Sequence, residues 1–340
     1  MSKIKKNTKR RLRIVIAALL ILTVLYLAAA NFLVSAALVP ATMEKLEAFE
    51  SITQESVEAL VHTDDIEANR QATLDETAQW LESVSSERLT AVSEDGYELV
   101  AKVFYQDESA GETHKWALLL HGYTGWKEEM NPFAHWYYEQ GYQVITPDMR
   151  CQGESEGDFI GMGWTDRKDN MIWLDYILEQ DPDAEIVIHG QSMGGACALM
   201  MSGEDLGSNV KAVISDCAYT DAYSMFKKQM KDWFHLPSFP LLDTANLMLQ
   251  LRGGYDLKDA SALEQVKKSK IPTLFIHGTE DEMVPYEMSQ ELYDAAVCEK
   301  ELFLVEGAGH AQAPDKDPEG YYGKVEKFLE KHVRGAQTNV

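Results

Sequence analysis

The chain has 340 residues, of which 31 are basic and 55 are acidic, so its net charge at neutral pH is −24. A chain this acidic repels phosphates, which argues against nucleic acid as a partner. Its length and its 45% of hydrophobic residues suffice for a domain with a sizeable core.

The N-terminal segment is basic first and apolar afterwards. Residues 1–13 carry seven Lys or Arg side chains and no acid, and residues 14–43 are uncharged. About 20 apolar residues suffice to cross a bilayer as a helix, and a basic flank stays in the cytoplasm. We therefore predict a cytoplasmic segment at 1–13, a single transmembrane anchor at 14–42 and an extracytoplasmic catalytic domain at the cell membrane.

A cleaved signal peptide is the alternative interpretation of the same segment. Ala28-Ala29-Ala30 resembles a small-residue cleavage site, and cleavage there would start the mature chain near Asn31. The apolar run continues to Val39, which is longer than a usual signal core and favours an uncleaved anchor.

Residues 43–87 separate the anchor from the catalytic domain. Apolar residues recur there at roughly helical spacing in a segment rich in Glu, Ala, Leu and Gln. We predict a helical juxtamembrane stalk that holds the enzyme off the membrane. Packing on the domain and self-association are the alternatives.

From residue 88 onward, apolar strands alternate with helix-like segments. An Asp95-Gly96 hairpin signal comes first, and strands are predicted at 117–120, 143–146, 186–188, 212–214, 273–276 and 302–305. This alternation predicts an α/β domain at 88–335, with a mostly parallel sheet and helices on both faces. Ligands bind such sheets beyond the carboxyl ends of the strands.

Ser192 lies in the turn Gly190-Gln191-Ser192-Met193-Gly194, between a predicted strand and a helix-like run. A serine hydroxyl is a weak nucleophile that needs exposure, a nearby base and backbone donors. A sharp turn between strand and helix supplies the exposure and the donors, and glycines let it close. We predict that Ser192 is the nucleophile.

Two further groups follow Ser192 in the order acid and then histidine, each after a predicted strand. Asp281 follows the strand at 273–276, and its position in the turn favours it over its neighbours Glu280 and Glu282. His310 follows the strand at 302–305, whereas the later His332 lies in a helix-like segment. Ser192, Asp281 and His310 are thus the predicted catalytic triad.

Negative charge develops on the carbonyl oxygen as a serine attacks it, so an oxyanion hole is required as well. The strand at 117–120 runs into the glycine-containing loop His121-Gly122-Tyr123. We predict the backbone N–H groups of Tyr123 and Met193 as the two donors.

With these motifs the chain resembles the α/β-hydrolase superfamily, and more closely the bacterial membrane-anchored hydrolases of the serine aminopeptidase-like (S33-type) group. The resemblance covers roughly residues 88–333. It rests on His121-Gly122-Tyr123, the run 148–157, the Ser192 turn, the Asp281 turn and Gly309-His310. In the run 148–157 such proteins usually have glycine where this chain has Cys151. The resemblance implies hydrolysis through an acyl-enzyme without metal or organic cofactor.

An insertion of about 219–270 interrupts the alternation of strands and helices. The resemblance implies that it forms a cap over the active site. Its apolar residues then line a substrate pocket, or else they only pack the cap onto the domain. The candidates for substrate binding are Met225, Phe226, Trp233 and Phe234.

The four cysteines Cys151, Cys197, Cys217 and Cys298 lack the short spacing of a metal site. We expect free thiols or at most one disulfide.

The sequence thus predicts a serine hydrolase that acts on carboxylic esters of small or medium acyl size outside the cytoplasm. A serine peptidase of the aminopeptidase type is the alternative, because the same triad cleaves amides. An inactive, membrane-tethered binding module is the alternative of another class. The expected partners are a small-molecule ester or short peptide and the membrane.

Overall fold

Strands that are buried on both faces form the centre of the molecule. The structure, a computed structural model, describes residues 2–43, 64–107 and 113–333. Its strands are β1 (Glu87–Val92), β2 (Glu98–Phe104), β3 (Lys115–Leu120), β4 (Gln143–Pro147), β5 (Glu185–Gln191), β6 (Val210–Asp216), β7 (Thr273–Gly278) and β8 (Lys300–Val305).

Helices separate most of these strands. They are α1 (Ser2–Leu38), α2 (Pro40–Met43), α3 (Asp64–Ser83), α4 (Asn131–Glu139), α5 (Asp166–Gln180), α6 (Met193–Ser202), α7 (Ala222–Asp232), α8 (Leu241–Gly253), α9 (Ala262–Val266), α10 (Tyr286–Ala295), α11 (Ala313–Lys316) and α12 (Pro318–His332), with a 3₁₀ helix at Lys127–Met130. The insertion between β6 and β7 contains α7, α8 and α9.

The eight strands form one sheet in the order β1-β2-β4-β3-β5-β6-β7-β8. The pairs β1–β2 and β2–β4 are antiparallel, and the strands from β4 to β8 run parallel. The mostly parallel sheet predicted from the alternation of strands and helices is therefore confirmed. The carboxyl ends of the parallel strands meet at one edge, where the predicted site residues follow β3, β5, β7 and β8.

Side chains alternate between two cores along each strand, as the pleat of a strand requires. Leu118 and Leu120 of β3 belong to the core under α5, α6 and α8, whereas Ala117 and Leu119 belong to the core under α3, α4 and α12. Helices thus cover both faces of the sheet, as predicted.

Helix α3 lies on the domain, which differs from the stalk that we expected. Ile66 is fully buried, and the ring of Trp80 packs at 4.9 Å from the ring of Phe104, between ring centroids. The Asn69 side chain donates a hydrogen bond of 2.9 Å to the carbonyl oxygen of Asp315. Burial of two large apolar side chains stabilises this docking. Residues 44–63, the first part of the expected stalk, lie outside the described residues.

Helix α1 contains a segment, Arg11–Leu38, that is long and apolar enough to cross a membrane. Its apolar side chains are exposed from Leu12 to Leu25, whereas Ala30, Val34 and Leu38 are buried against the domain. The C-terminal part of this helix is therefore part of the folded body, and only the earlier part projects from it.

Candidate active site

The backbone at Ser192 has the strained conformation of a sharp turn between β5 and α6. Its φ of 56° and ψ of −117° lie where few residues with a side chain are found. A Cβ added to Gly190 would overlap the carbonyl oxygen of Gly194. A Cβ added to Gly194 would overlap the carbonyl oxygen of Leu120. The Ser192 N–H donates a hydrogen bond of 2.8 Å to the carbonyl oxygen of Asp216. The two glycines therefore let the turn close, and Ser192 projects from its apex.

His310 connects Ser192 to Asp281. Its Nε2 lies 2.9 Å from Ser192 Oγ, and its Nδ1 lies 2.7 Å from Asp281 Oδ2. Because an ionised carboxylate only accepts hydrogen bonds, the proton of the neutral imidazole is on Nδ1. Nε2 is then free to accept the hydrogen bond of the serine hydroxyl, which is the arrangement that a general base needs.

Asp281 is buried but surrounded by donors. Its Oδ1 accepts the backbone N–H groups of Met283 at 2.9 Å and Val284 at 2.8 Å. Burial by itself raises the pKa of the Asp281 carboxyl, but the nearby His310 and His277 outweigh it and hold that pKa below its usual range. The carboxylate therefore stays ionised and can stabilise an imidazolium beside it. Its rivals Glu280 and Glu282 are exposed.

His277 is a second histidine on Asp281 that the sequence analysis missed. Its Nε2 lies 3.1 Å from Asp281 Oδ2 and 2.7 Å from the carbonyl oxygen of Val284, so Nε2 carries the proton. Its Nδ1 accepts the hydroxyl of Ser289 at 2.6 Å. His277 thus fixes the carboxylate that orients His310. The only sequence signal for it was a histidine in an otherwise apolar strand, four residues before the acid.

The predicted oxyanion loop passes directly over Ser192. A Cβ added to Gly122 would lie 3.6 Å from the Cβ of Ser192, so the loop backbone is in van der Waals range. Met193 is the first residue of α6, and a first helical residue has no N–H partner within its own helix. The N–H of Tyr123 donates no hydrogen bond among the described residues. Both predicted donors are thus available beside the serine.

His121, which the sequence placed in this loop without a role of its own, orients the loop. Its Nε2 accepts the N–H of Met149 at 2.9 Å, so its proton is on Nδ1, which donates to the carbonyl oxygen of Gly122 at 2.7 Å. Burial lowers the pKa of His121 to about 4, which keeps the ring neutral near pH 7. The Gly122 carbonyl shares its peptide plane with the Tyr123 N–H, so His121 fixes the direction of that donor.

The chain matches the profile of the prolyl oligopeptidase family (Peptidase_S9) over residues 129–336, which is more than half of its length. The chain belongs to the prolyl oligopeptidase family. It is therefore a serine hydrolase, and the expectation of an inactive binding module is not supported. The match also confirms the α/β-hydrolase superfamily, although it does not specify the S33-type group.

Individual relatives and solved structures are similar to this chain over about two thirds to three quarters of its length. Bacillus subtilis YqkD is 29% identical over 221 residues, which cover 64% of this chain and 72% of that protein. The Pyrococcus furiosus esterase Pf2001 has a TM-score of 0.61 at 24% identity, over 74% of this chain and 92% of its own. A Pyrococcus horikoshii acylaminoacyl peptidase has a TM-score of 0.56 at 20% identity, over 76% of this chain and 43% of its own. At these identities, the solved structures establish the fold.

The backbone at Cys151 adopts a conformation that favours glycine. Cys151 has a φ of 63°, in the left-handed region that glycine adopts without strain. Its N–H donates a hydrogen bond of 3.0 Å to the carbonyl oxygen of Glu156. The departure from the usual motif therefore costs some strain at one residue without opening the loop.

The four candidates for substrate binding are divided between the inside and the surface of the cap. Met225 is buried in the domain core, and Phe226 is half-buried against that core. Trp233 and Phe234 are exposed, at 37% and 42%. Met225 and Phe226 thus pack the cap onto the domain, which was the alternative, and a role of the four residues in substrate binding stays a prediction.

One group of potential metal ligands includes members of this site. The Sγ of Cys217 and ligand atoms of Asp281 and His310 lie within 4.8 Å of one another. Both ring nitrogens of His310 already contact Ser192 and Asp281. Burial raises the pKa of the Cys217 thiol well above its usual value, which disfavours the thiolate that a metal requires. The donor set therefore suits hydrolysis better than metal binding. All four cysteines are free thiols, as expected.

Proposed function

We propose that the protein is a membrane-anchored carboxylic-ester hydrolase whose nucleophile is Ser192. The observation that carries the proposal is the continuous chain of hydrogen bonds from Ser192 Oγ through His310 to Asp281, of 2.9 Å and 2.7 Å. In such a chain the serine proton has an acceptor and the acceptor has a fixed orientation.

The proposed mechanism has two halves. In the first, Ser192 Oγ attacks the ester carbonyl while its proton passes to Nε2 of His310, and the imidazolium is stabilised by Asp281. The same proton then goes to the leaving alcohol as the tetrahedral intermediate collapses to an acyl-enzyme. In the second half, water loses its proton to Nε2 and attacks the acyl carbon, and Ser192 recovers a proton as the acid leaves.

Charge on the carbonyl oxygen is stabilised by the N–H groups of Tyr123 and Met193. They flank Ser192 on the loop after β3 and at the start of α6, where the helix dipole also favours an anion. His121 keeps the first of them aimed by holding the Gly122 carbonyl.

The proposal places the active site on the extracytoplasmic side of the membrane. Basic residues cluster before the apolar run of α1 and none follows within it, which favours a cytoplasmic N-terminus. Labelling of the intact cells with a membrane-impermeant amine reagent, followed by lysis and a second label, tests this side. Modification of domain lysines only after lysis would contradict it.

The chemical preference is tested by comparing p-nitrophenyl acyl esters with aminoacyl p-nitroanilides on the full chain. We expect turnover of the esters and a loss of at least about 10³-fold in Ser192→Ala. Ser202→Ala is the matched control, because the Ser202 hydroxyl is bound to the carbonyl oxygen of Leu199 within α6. Turnover of the anilides alone would contradict the ester preference.

A peptidase is the second candidate, and the family match favours it specifically. An amide requires protonation of a poorer leaving group and a site for the peptide chain on either side of the bond. The same substrate comparison decides between the two activities. Acylated aminoacyl anilides are added because their blocked N-terminus excludes an aminopeptidase, which needs a free amino group, but not a peptidase that accepts a longer chain.

A further inference from the structure

The C-terminal part of α1 is bound to the cap. The hydroxyl groups of Tyr26 and Thr244 lie 2.7 Å apart. The guanidinium of Arg252 donates hydrogen bonds to Asn31 Oδ1 at 2.9 Å and to Ser35 Oγ at 3.0 Å. Tyr26 comes before Asn31 in α1, and its partner Thr244 comes before Arg252 in α8. The two helices therefore run side by side in the same direction.

The contacts of Tyr26 and Asn31 fall inside the stretch that a membrane-spanning helix must use. The uncharged run begins at Ile14, and about 20 residues are needed to cross the hydrocarbon layer, which extends the span to Leu33. Tyr26 then lies about 18 Å along the helix from Ile14, in a layer about 30 Å thick. The start of α8, which contacts Tyr26, is thus at the depth of the far leaflet.

The surface of the cap near this position is apolar and exposed. Trp233, Leu236 and Phe239 precede α8, and Leu247 and Leu251 lie one turn apart on it, beside the α1-binding Arg252; their exposures are 37%, 45%, 75%, 50% and 74%. We call these five residues the cap apolar face. Monomeric proteins rarely expose so many large apolar side chains together, unless the surface binds a partner or a membrane.

Charge favours a membrane as the occupant. Residues 233–251 hold a single acid, Asp243, in a chain with 55 acids. The preceding helix α7 carries three lysines and one acid. The acidic remainder of the domain would have to bury many charges to enter a bilayer, whereas residues 233–251 would bury one acid. The transmembrane part of α1 belongs to the same chain and holds this edge beside the bilayer.

Apolar contacts continue from this edge toward Ser192. Val34 and Leu38 of α1 belong to the same core as Leu242 and Leu249 of α8. The hydroxyl of Tyr123, on the loop over Ser192, donates a hydrogen bond to the carbonyl oxygen of Ala37. The anchor, the cap and the oxyanion loop thus form one connected unit.

From these contacts we propose that the cap apolar face is embedded among the acyl chains of the far leaflet, and that the enzyme takes esters whose acyl chain resides in the bilayer. This substrate class rests on the ester hydrolase activity proposed above. A site held at this depth receives an amphiphile without first moving its acyl chain into water, and the free-energy cost of that transfer grows with every CH₂ group.

The docking is tested without any activity by tryptophan quenching in the full chain. The protein is reconstituted in phosphatidylcholine–phosphatidylglycerol vesicles with or without brominated acyl chains. We expect quenching in the wild type that falls by at least half in Trp233→Phe. Trp136→Phe, which removes a tryptophan stacked on Tyr322 in the opposite core, is the control that should retain it. Equal quenching in Trp233→Phe and the wild type would overturn the docking.

The substrate class is tested by a double variant, Phe239→Glu with Leu251→Glu. We expect kcat/KM for a palmitoyl ester in vesicles to fall at least tenfold, while kcat/KM for soluble p-nitrophenyl acetate changes less than about twofold. Val92→Glu with Val297→Glu is the matched control, because these valines are each 68% exposed and lie on β1 and after α10, outside the cap.

The outcomes separate the two proposals. An equal fall in kcat/KM for both substrates, or an equal fall in both double variants, would overturn the proposal that the acyl chain is taken from the bilayer. Loss of all ester turnover in the wild type would instead reject the ester hydrolase activity, and with it the substrate class, whereas the quenching result would still decide the docking.

Discussion

At the scale of single residues, two histidines outside the proposed triad determine its geometry. His277 fixes Asp281, and His121 fixes the peptide that carries the Tyr123 N–H. Each is fully buried with both ring nitrogens hydrogen-bonded, so each tautomer is determined by its partners. The reacting groups are therefore held before a substrate arrives, which is the condition for electrostatic stabilisation of a transition state.

Asp281→Asn changes the tautomer of His310. An amide nitrogen facing Nδ1 disfavours the proton there, so Nε2 becomes protonated and cannot accept from Ser192. We expect kcat for a soluble ester to fall by about 10³- to 10⁴-fold, as in other triads. Steady-state kinetics of this variant and of Glu280→Gln, an exposed neighbouring acid, measure the effect. A comparable loss in Glu280→Gln, with activity kept in Asp281→Asn, would show that Glu280 is the acid of the triad and that Asp281 is not.

His121→Ala releases the Gly122 carbonyl. The Tyr123 N–H then loses its fixed direction, so we expect kcat to fall by about 10- to 100-fold, with KM for a small ester changed less than about threefold. The split between kcat and KM is the measurement that matters. A rise in KM with an unchanged kcat would show that His121 serves substrate binding and not the transition state.

At the scale of elements, the sequence predicted those parts whose burial pattern is simple. The parallel strands are apolar on both faces, so six were predicted near their observed places. Helix α3 was assigned to a stalk because most of its residues are polar, and its few buried side chains, such as Ile66 and Trp80, carry a weak signal. Contacts between distant segments, such as α1 with α8, have no local signal at all.

In the candidate site, too, residues with a local sequence signal could be predicted and contacts between distant segments could not. Ser192, Asp281 and His310 could be predicted because each follows a strand in a recognisable turn, and the structure brings the three side chains together, although their catalytic roles stay predictions. His277 and His121 could not be assigned roles, because a role that depends on hydrogen bonds between separate loops is invisible until those loops are placed.

Trp80→Ala tests whether α3 is part of the folded domain. Trp80 is 8% exposed, so replacing its ring with a methyl group leaves a cavity. Losses of this kind cost about 3–5 kcal/mol of unfolding free energy. We expect a clear fall in the urea midpoint without a change in kcat for a soluble ester. Leu81→Ala, at a position that is 36% exposed on the same helix, should change the midpoint much less. Equal midpoints for the two variants would mean that α3 is not docked in solution.

At the scale of the whole molecule, a few buried carboxyls link stability to pH. Burial and the nearby Asp169 raise the pKa of Asp166 to about 7, and its Oδ1 has no hydrogen-bond partner. The unfolded chain releases this proton near pH 4, whereas the folded chain keeps it until about pH 7. The stability that Asp166 contributes is thus present below about pH 4 and is lost as the pH rises to about 7.

Asp166→Asn removes this dependence. We expect the variant to gain up to about 4 kcal/mol relative to the wild type between pH 4 and pH 8, seen as a higher thermal midpoint at pH 8. Scanning calorimetry at both pH values measures the difference, with Asp183→Asn, an exposed acid, as the control for the loss of one charge. A variant that is less stable than the wild type at pH 8 by the same margin as at pH 4 would contradict the raised pKa.

The central claim is that Ser192 is a nucleophile activated by His310. A fluorophosphonate probe reacts only with a serine that can lose its proton to a base, and mass spectrometry of the digested full-length protein locates the adduct. We predict one adduct, on the peptide that contains Ser192, absent in Ser192→Ala and slowed by at least about 10²-fold in His310→Ala. An adduct on another serine, or labelling that persists unchanged in Ser192→Ala, would contradict the account.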